Sequence, residues 1–243
     1  MTFKAEDFFD LAEFPHREIF KGLENVWECL PLIAGYIKKK IKPNVSGIRK
    51  GLCLTSEKKV LPNGAVVHAG VFLMDEEIEI GAGAVIEPGA LITGPTIIGE
   101  ETAVRQGAYI RGKVITGKKC VVGHTTEMKN AVMTGESKAG HFAYIGDSIL
   151  GKVNLGAGTK LANFKLSEDN INILDGGKKN PTALRKFGAI LGDGTATGCN
   201  SVTMPGTIMG KGCLLYPNTT ARGCYPAGSV IKLSQNINII RSK

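Results

Sequence analysis

Ile80-Gly81-Ala82-Gly83-Ala84-Val85, Ile86-Glu87-Pro88-Gly89-Ala90-Leu91, Ile92-Thr93-Gly94-Pro95-Thr96-Ile97: three successive stretches of six residues each open on isoleucine and carry a small or β-branched residue at the fifth place. The rhythm runs on through Ile98, Val104, Ile110, Thr116, Val122, Met128 and Thr134, giving ten heads between Ile80 and Ala139. The residue after each head is Gly or a side chain that can point into water, such as Gly81, Arg105, Arg111 or Lys129. A helix repeats every 3.6 residues and a half-buried strand every 2, so neither produces this spacing. It is the signature of a hexapeptide β-helix, a mainly β fold built from parallel strands. Each hexad is one short strand and a turn, and three hexads close a triangular coil. Residues eighteen apart then lie one above another at about 4.8 Å, each coil pairing with the next.

The period recurs at Leu191, Thr197, Thr203, Met209 and Leu215, and before the main run at Leu61, Val67 and Leu73, after which one extra residue resets the phase. Between residues 138 and 163 the starts Ile145-Gly146 and Leu155-Gly156 survive with irregular spacing. Residues 164–188 have no hexad. They are polar and charged, with a turn at Gly176-Gly177, and read as a functional loop extruded between two rungs. The first 43 residues are different material. Ile19, Phe20, Leu23, Val26, Trp27 and Leu30 recur at helical spacing after Pro15, and Pro31 breaks the run before a second short helix ending in Lys38-Lys39-Lys40. The expected organisation is an N-terminal helical cap over the open end of the coil (1–43), the β-helix (44–232) with its loop (164–188), and a C-terminal tail (233–243).

At 243 residues the chain holds one β-helical domain and a small appendage. Its six cysteines form no CxxC pair, and Cys120 and Cys213 fall at inward hexad positions, which suits free thiols in a reducing cytoplasm. No signal peptide and no membrane-spanning run is read, so the expected location is cytoplasmic, away from membranes. A net charge of +8 suits an anionic substrate. The basic residues are scattered and aromatics make up only 6% of the chain, which argues against nucleic acid.

Arg111 and Lys129 are eighteen residues apart, each at the second place of its hexad, and should stack on one outer face. Two cations so placed form either an anion clamp, a guanidinium fork beside a point charge, or a solvated face with fanned-out side chains. His141 follows Lys129 by twelve residues, where the rhythm breaks. It reads either as a surface histidine or as a base, since an unperturbed imidazole titrates near pH 6.5.

Glu127-Met128-Lys129, Ser137 to Asp147 (SKAGHFAYIGD) and Val153 to Thr159 (VNLGAGT) resemble the acetyltransferase domain of the bacterial bifunctional N-acetylglucosamine-1-phosphate uridyltransferase. The ending Arg185 to Gly194 (RKFGAILGDG) is closer to archaeal-type sugar-phosphate nucleotidyltransferase relatives. The resemblance spans roughly residues 60–232 and is most specific from Met128 to Thr159. It implies a left-handed β-helix, a homotrimer with active sites between subunits, and acetyl transfer from acetyl-CoA to the amine of glucosamine 1-phosphate. Arg111 and Lys129 match the family's sugar-phosphate ligands, His141 its general base, and Tyr144, Asn154 and Lys186 its sugar-contacting positions. Asn163 matches a residue near the acetyl group. Cys199 stands where the family has a Ser near the coenzyme, Phe164 where it has Tyr, and Pro217 where it has a small Ala. The family's N-terminal nucleotidyltransferase domain, with its Gly-rich nucleotide loop, has no counterpart in these residues.

The implied chemistry is direct transfer. His141 takes a proton from the sugar ammonium, backbone N–H groups of turns near residues 154–162 stabilise the oxyanion, and no covalent intermediate is needed. Three alternatives stand beside it. One is a non-catalytic trimeric scaffold that binds sugar phosphates or sugar nucleotides. Another is a lipid-A-type acyltransferase. The third is a metal-dependent carbonic anhydrase of the same fold, against which the spacing of His16, His68, His124 and His141 argues, so no metal is expected.

Overall fold

A computed structural model describes residues 2–49 and 54–241. Short strands of two to four residues stack into three sheets of ten, eight and eight strands, parallel throughout except for the edge strand Lys59–Val60, and from Val66–Val67 onward the coil's strands visit the three faces in rotation. The first face holds Val66–Val67, Val85–Ile86, Ala103–Val104, Val121–His124 and Lys138–His141. The second holds Tyr109–Arg111, Glu127–Lys129 and Tyr144–Gly146, and the third Thr96–Ile98, Val114–Thr116 and Ala131–Met133. This is the parallel β-helix that the hexads require. The heads Ile80, Ile86, Ile92, Ile98, Val104, Ile110, Val122 and Met128 are fully buried and form one continuous core with the small residues Ala84, Ala90 and Ala108. Cys120 and Cys213 lie in that core, and burial pushes the Cys120 thiol up to about 12.

The tenth repeat departs from the sequence expectation. Thr116 pairs with Met133, not Thr134, and Val122 pairs with Ala139, so this rung is one residue shorter than the eighteen-residue spacing. Asn130 takes a left-handed turn (φ 45°) and closes the corner after Met128 early. Such a conformation favours Asn over most side chains. Leu61 also departs. It is buried in the core, but the strand before it, Lys59–Val60, runs antiparallel to Val66–Val67, so Leu61 ends a hairpin and heads no parallel rung. The later heads pair as expected, Leu191 with Met209 and Thr197 with Leu215.

The first 43 residues differ most from expectation. The run from Ile19 to Leu30 is two 3-10 turns, Arg17–Phe20 and Val26–Leu32, interrupted at Gly22 (φ 79°), where a helix cannot continue. A helix of four residues, Ala5–Phe8, precedes them, and Ile33–Lys40 is the predicted short helix. This segment lies along the third face, not over the open end. Phe8, Phe14, Phe20, Trp27, Leu30 and Ile33 pack in one cluster with Ile97, Ile115, Val132, Ile149, Ile190 and Ile208. Those six are the outward residues of successive strands, one per rung, on that face alone. Burying each contributes about 1.5–3 kcal/mol, which is enough to hold a segment that has little helix of its own. At the start of the coil, Val45 joins the inner core and the Asn44 side chain bonds both the N–H and the C=O of Ile80.

The extruded loop is ordered. Asn172–Asp175 and Lys178–Pro181 form an antiparallel hairpin about Gly176-Gly177. Ile171, Ile173 and Phe187 join the cluster on the third face, where Phe187 packs against Trp27. At the loop's neck Phe164 bridges Lys186, so the chain leaves and re-enters the coil at one point.

Candidate active site

Arg111 and Lys129 end neighbouring strands of the second face. Tyr109 and Ile110 pair with Glu127 and Met128, and the two cations follow one residue later. Together with Lys186 they line a cleft of about 310 Å³, whose other walls are Gly112, Lys113, Asn130 and Asp147. Each stacked cation has a carboxylate of its own. Arg111 Nη1 lies 2.7 Å from Glu127 Oε1, and Lys129 Nζ lies 3.4 Å from Asp147 Oδ2. Their mutual repulsion is therefore relieved by the protein.

Asp147, which sequence reasoning assigned no role, is the hub of this edge. Its carboxylate is buried and accepts hydrogen bonds from Asn130 Nδ2 (2.8 Å) and Asn163 Nδ2, in addition to the Lys129 pair. Asn163 Oδ1 in turn accepts from the Tyr144 hydroxyl at 3.3 Å. One network thus runs from Lys129 through Asp147 and Asn163 to Tyr144. Burial, with the charges of Glu127 and Asp147 nearby, holds the Tyr144 phenol above its usual range. Gly146 makes room for the network, because a Cβ there would lie 2.6 Å from both Asn163 Nδ2 and the Tyr144 hydroxyl.

His141 stands on the opposite edge of the second face. It ends the first-face strand Lys138–His141, and three residues later Tyr144 opens the second-face strand. Crossing that strand, Tyr144–Gly146, covers roughly 10 Å at the usual rise per residue. His141 is exposed, and its ring lies tilted against that of Phe142, 6.4 Å between centroids. The turn it begins is stacked with those of the following rungs: Gly158 N–H donates to His141 C=O, Asn200 N–H to Ala157 C=O, and Asn218 N–H to Cys199 C=O. Cys199 and Pro217 therefore share a column of exposed corners with His141. The structure thus brings together Arg111, Lys129, Lys186, Tyr144 and Asn163 on one edge, and His141, Cys199 and Pro217 on the other. Asn154 joins neither group. It opens the strand paired with Lys138 on the first face and points outward.

Two local features qualify the sequence reading. The turns near residues 154–162 are poor oxyanion donors, because the N–H groups of Asn154, Gly156, Gly158, Thr159, Lys160 and Ala162 are all spent on the coil's own hydrogen bonds. Phe164 lies at the neck of the loop, bridged to Lys186. Its ring carries the Arg185 guanidinium at 4.1 Å, a stack that fixes the residue next to Lys186.

Repeat, coil and corners define a hexapeptide-repeat parallel β-helix protein. No family model matches the chain. Its sequence is similar to the bifunctional sugar-1-phosphate nucleotidylyltransferase/acetyltransferase of Sulfurisphaera tokodaii, 34% identical over 98 residues, which are 40% of this chain and 24% of that protein. It is likewise similar to the bifunctional protein GlmU of Methanococcus vannielii (35% over 83 residues, 34% and 20% of the two chains) and of Synechococcus (37% over 95 residues, 39% and 17%). The matched stretch is thus about a quarter or less of each of these relatives. Among solved structures, the chain resembles UDP-N-acetylglucosamine acyltransferase from Campylobacter jejuni at 19% identity and a TM-score of 0.36, over 66% of this chain and 69% of that one. No helix among the described residues is long and apolar enough to cross a membrane.

Proposed function

We propose that this chain is a cytoplasmic N-acetyltransferase that uses acetyl-CoA to acetylate an amino-sugar 1-phosphate, with glucosamine 1-phosphate first among the candidates, and that it works as a homotrimer. The observation that carries this reading is the cleft shared by Arg111, Lys129 and Lys186 on one edge of the second face, with His141 on the other edge. Four cations, Arg111, Lys113, Lys129 and Lys186, face two carboxylates, Glu127 and Asp147, so the cleft keeps a net positive charge for a phosphate dianion. Tyr144 and Asn163 lie between that cleft and the base and would orient the sugar ring.

In this mechanism the phosphate enters the cleft and competes with Glu127 for Arg111, whose fork suits two phosphate oxygens. The sugar ammonium loses its proton to His141, and the freed nitrogen attacks the thioester carbonyl. Collapse of the tetrahedral intermediate expels the coenzyme thiolate, which takes up a proton. The coenzyme would run along the corners of Cys199 and Pro217, below His141. A second copy of the chain would complete the site, since the cleft and His141 lie on opposite edges of the face, roughly 10 Å apart. Asn154, exposed on the first face, would serve a neighbour's sugar. The proposed similarity in activity also rests on the names of the partial relatives, each described as bifunctional or as an acetyltransferase.

Incubation of the purified chain with acetyl-CoA and glucosamine 1-phosphate, read by mass spectrometry, tests this. A product heavier by one acetyl group is expected. Sugar-phosphate binding without any acetylated product from a panel of amino-sugar phosphates would replace it with a non-catalytic scaffold.

A further inference from the structure

His124 pairs in register with His141 on the neighbouring rung of the first face. Residues so paired in a parallel sheet sit about 4.8 Å apart and project the same way. Both are exposed. The two imidazoles differ in how they are held. His124 Nδ1 lies 2.9 Å from the Gln106 carbonyl oxygen, which can only accept. The hydrogen is therefore on Nδ1, and the Nε2 lone pair of the neutral ring is left free. Among the described residues, the His141 ring has only its contact with Phe142 to orient it.

We propose that His124 is a second proton-carrying group of the site, receiving from His141 the proton that His141 takes from the substrate. This rests on the reading of His141 as the base. The ammonium N–H bond breaks with its electron pair left on nitrogen, and the proton passes to the His141 ring. It then moves to Nε2 of His124 and from there to water. One proton leaves the substrate for solvent, and no other reactant is required. The ring held by Gln106 supplies a fixed acceptor, and the freer ring of His141 makes the transfer between substrate and acceptor. The competing explanation is structural: His124 merely satisfies the Gln106 carbonyl.

The variant His124→Gln separates the two, because its amide can still donate to that carbonyl but cannot carry a proton. Acetyl transfer by wild type, His124→Gln and His141→Ala is measured, with thermal midpoints to confirm folding. The relay predicts that His124→Gln folds like wild type, keeps its KM for the sugar phosphate and loses roughly tenfold in turnover, less than the 100- to 10,000-fold typical of a general base. Free imidazole added to the assay should restore much of that loss. Wild-type turnover in His124→Gln, or a loss that added imidazole does not repair, overturns the relay alone. An inactive wild type, or an unimpaired His141→Ala, overturns the reading of the site and the relay with it.

Discussion

Lys129 Nζ and Asp147 Oδ2 lie 3.4 Å apart, and the carboxylate of that pair is buried where the lysine is not. The asymmetry assigns the two residues different work. Both line the cleft, but Lys129 offers its charge there while the buried Asp147 fixes Lys129, Asn130 and Asn163 together.

Asp147→Asn should therefore destabilise the fold. Asn tolerates the left-handed backbone that Asp147 adopts (φ 47°), so the change removes charge without adding strain. It leaves the Asn130 and Asn163 amides with a weaker acceptor, and hydrogen bonds to charged groups contribute about 1.5–3 kcal/mol. A fall of that order in the free energy of unfolding is expected from denaturant titration.

The repeat made the fold legible, because an inward residue every sixth position has no other structural explanation. The slip at Met133 was hidden, since Thr134 is also buried and fits the period equally well. The row Ile97, Ile115, Val132, Ile149, Ile190 and Ile208 was present in the sequence. It emerges only when residues are aligned by rung, and it then shows which face the first 43 residues cover. The stacking of Arg111 over Lys129 followed from period alone. Asp147 did not, because its role depends on contacts from Lys129, Asn130 and Asn163, which the coil brings together from separate rungs.

Trp27→Ala should loosen two elements at once. The indole packs against Phe3 at 5.0 Å and Phe187 at 6.2 Å, joining the N-terminal segment to the foot of the loop that carries Lys186. Loss of such a side chain costs about 3–5 kcal/mol. Limited proteolysis should cut the variant faster within residues 164–188, and its KM for a sugar phosphate should rise.

His16 makes stability depend on pH. Burial, and secondarily the Lys40 charge, lower its pKa from 6.5, and its ring meets the Tyr36 hydroxyl at 3.3 Å. The unfolded chain then binds the proton more readily than the folded one, so stability falls as pH drops below about 6.5 and is unaffected by this group above it. The thermal midpoint of wild type should decline on acidification through that range more steeply than that of His16→Gln.

Arg111→Ala should weaken sugar-phosphate binding while leaving the bound complex competent. The fork it removes acts on the phosphate, not on the amine. KM for the sugar phosphate should rise at least tenfold with turnover changed little. The wild-type KM should climb with added salt more steeply than that of the variant, because one exposed charge has left the cleft.

The most direct test is the steady-state kinetics of His141→Ala with acetyl-CoA and glucosamine 1-phosphate. Turnover should drop by roughly 100- to 10,000-fold while the dissociation constant of the sugar phosphate, measured separately by calorimetry, stays within about twofold of wild type. Wild-type turnover in that variant would contradict the assignment of His141 as the base that frees the attacking amine.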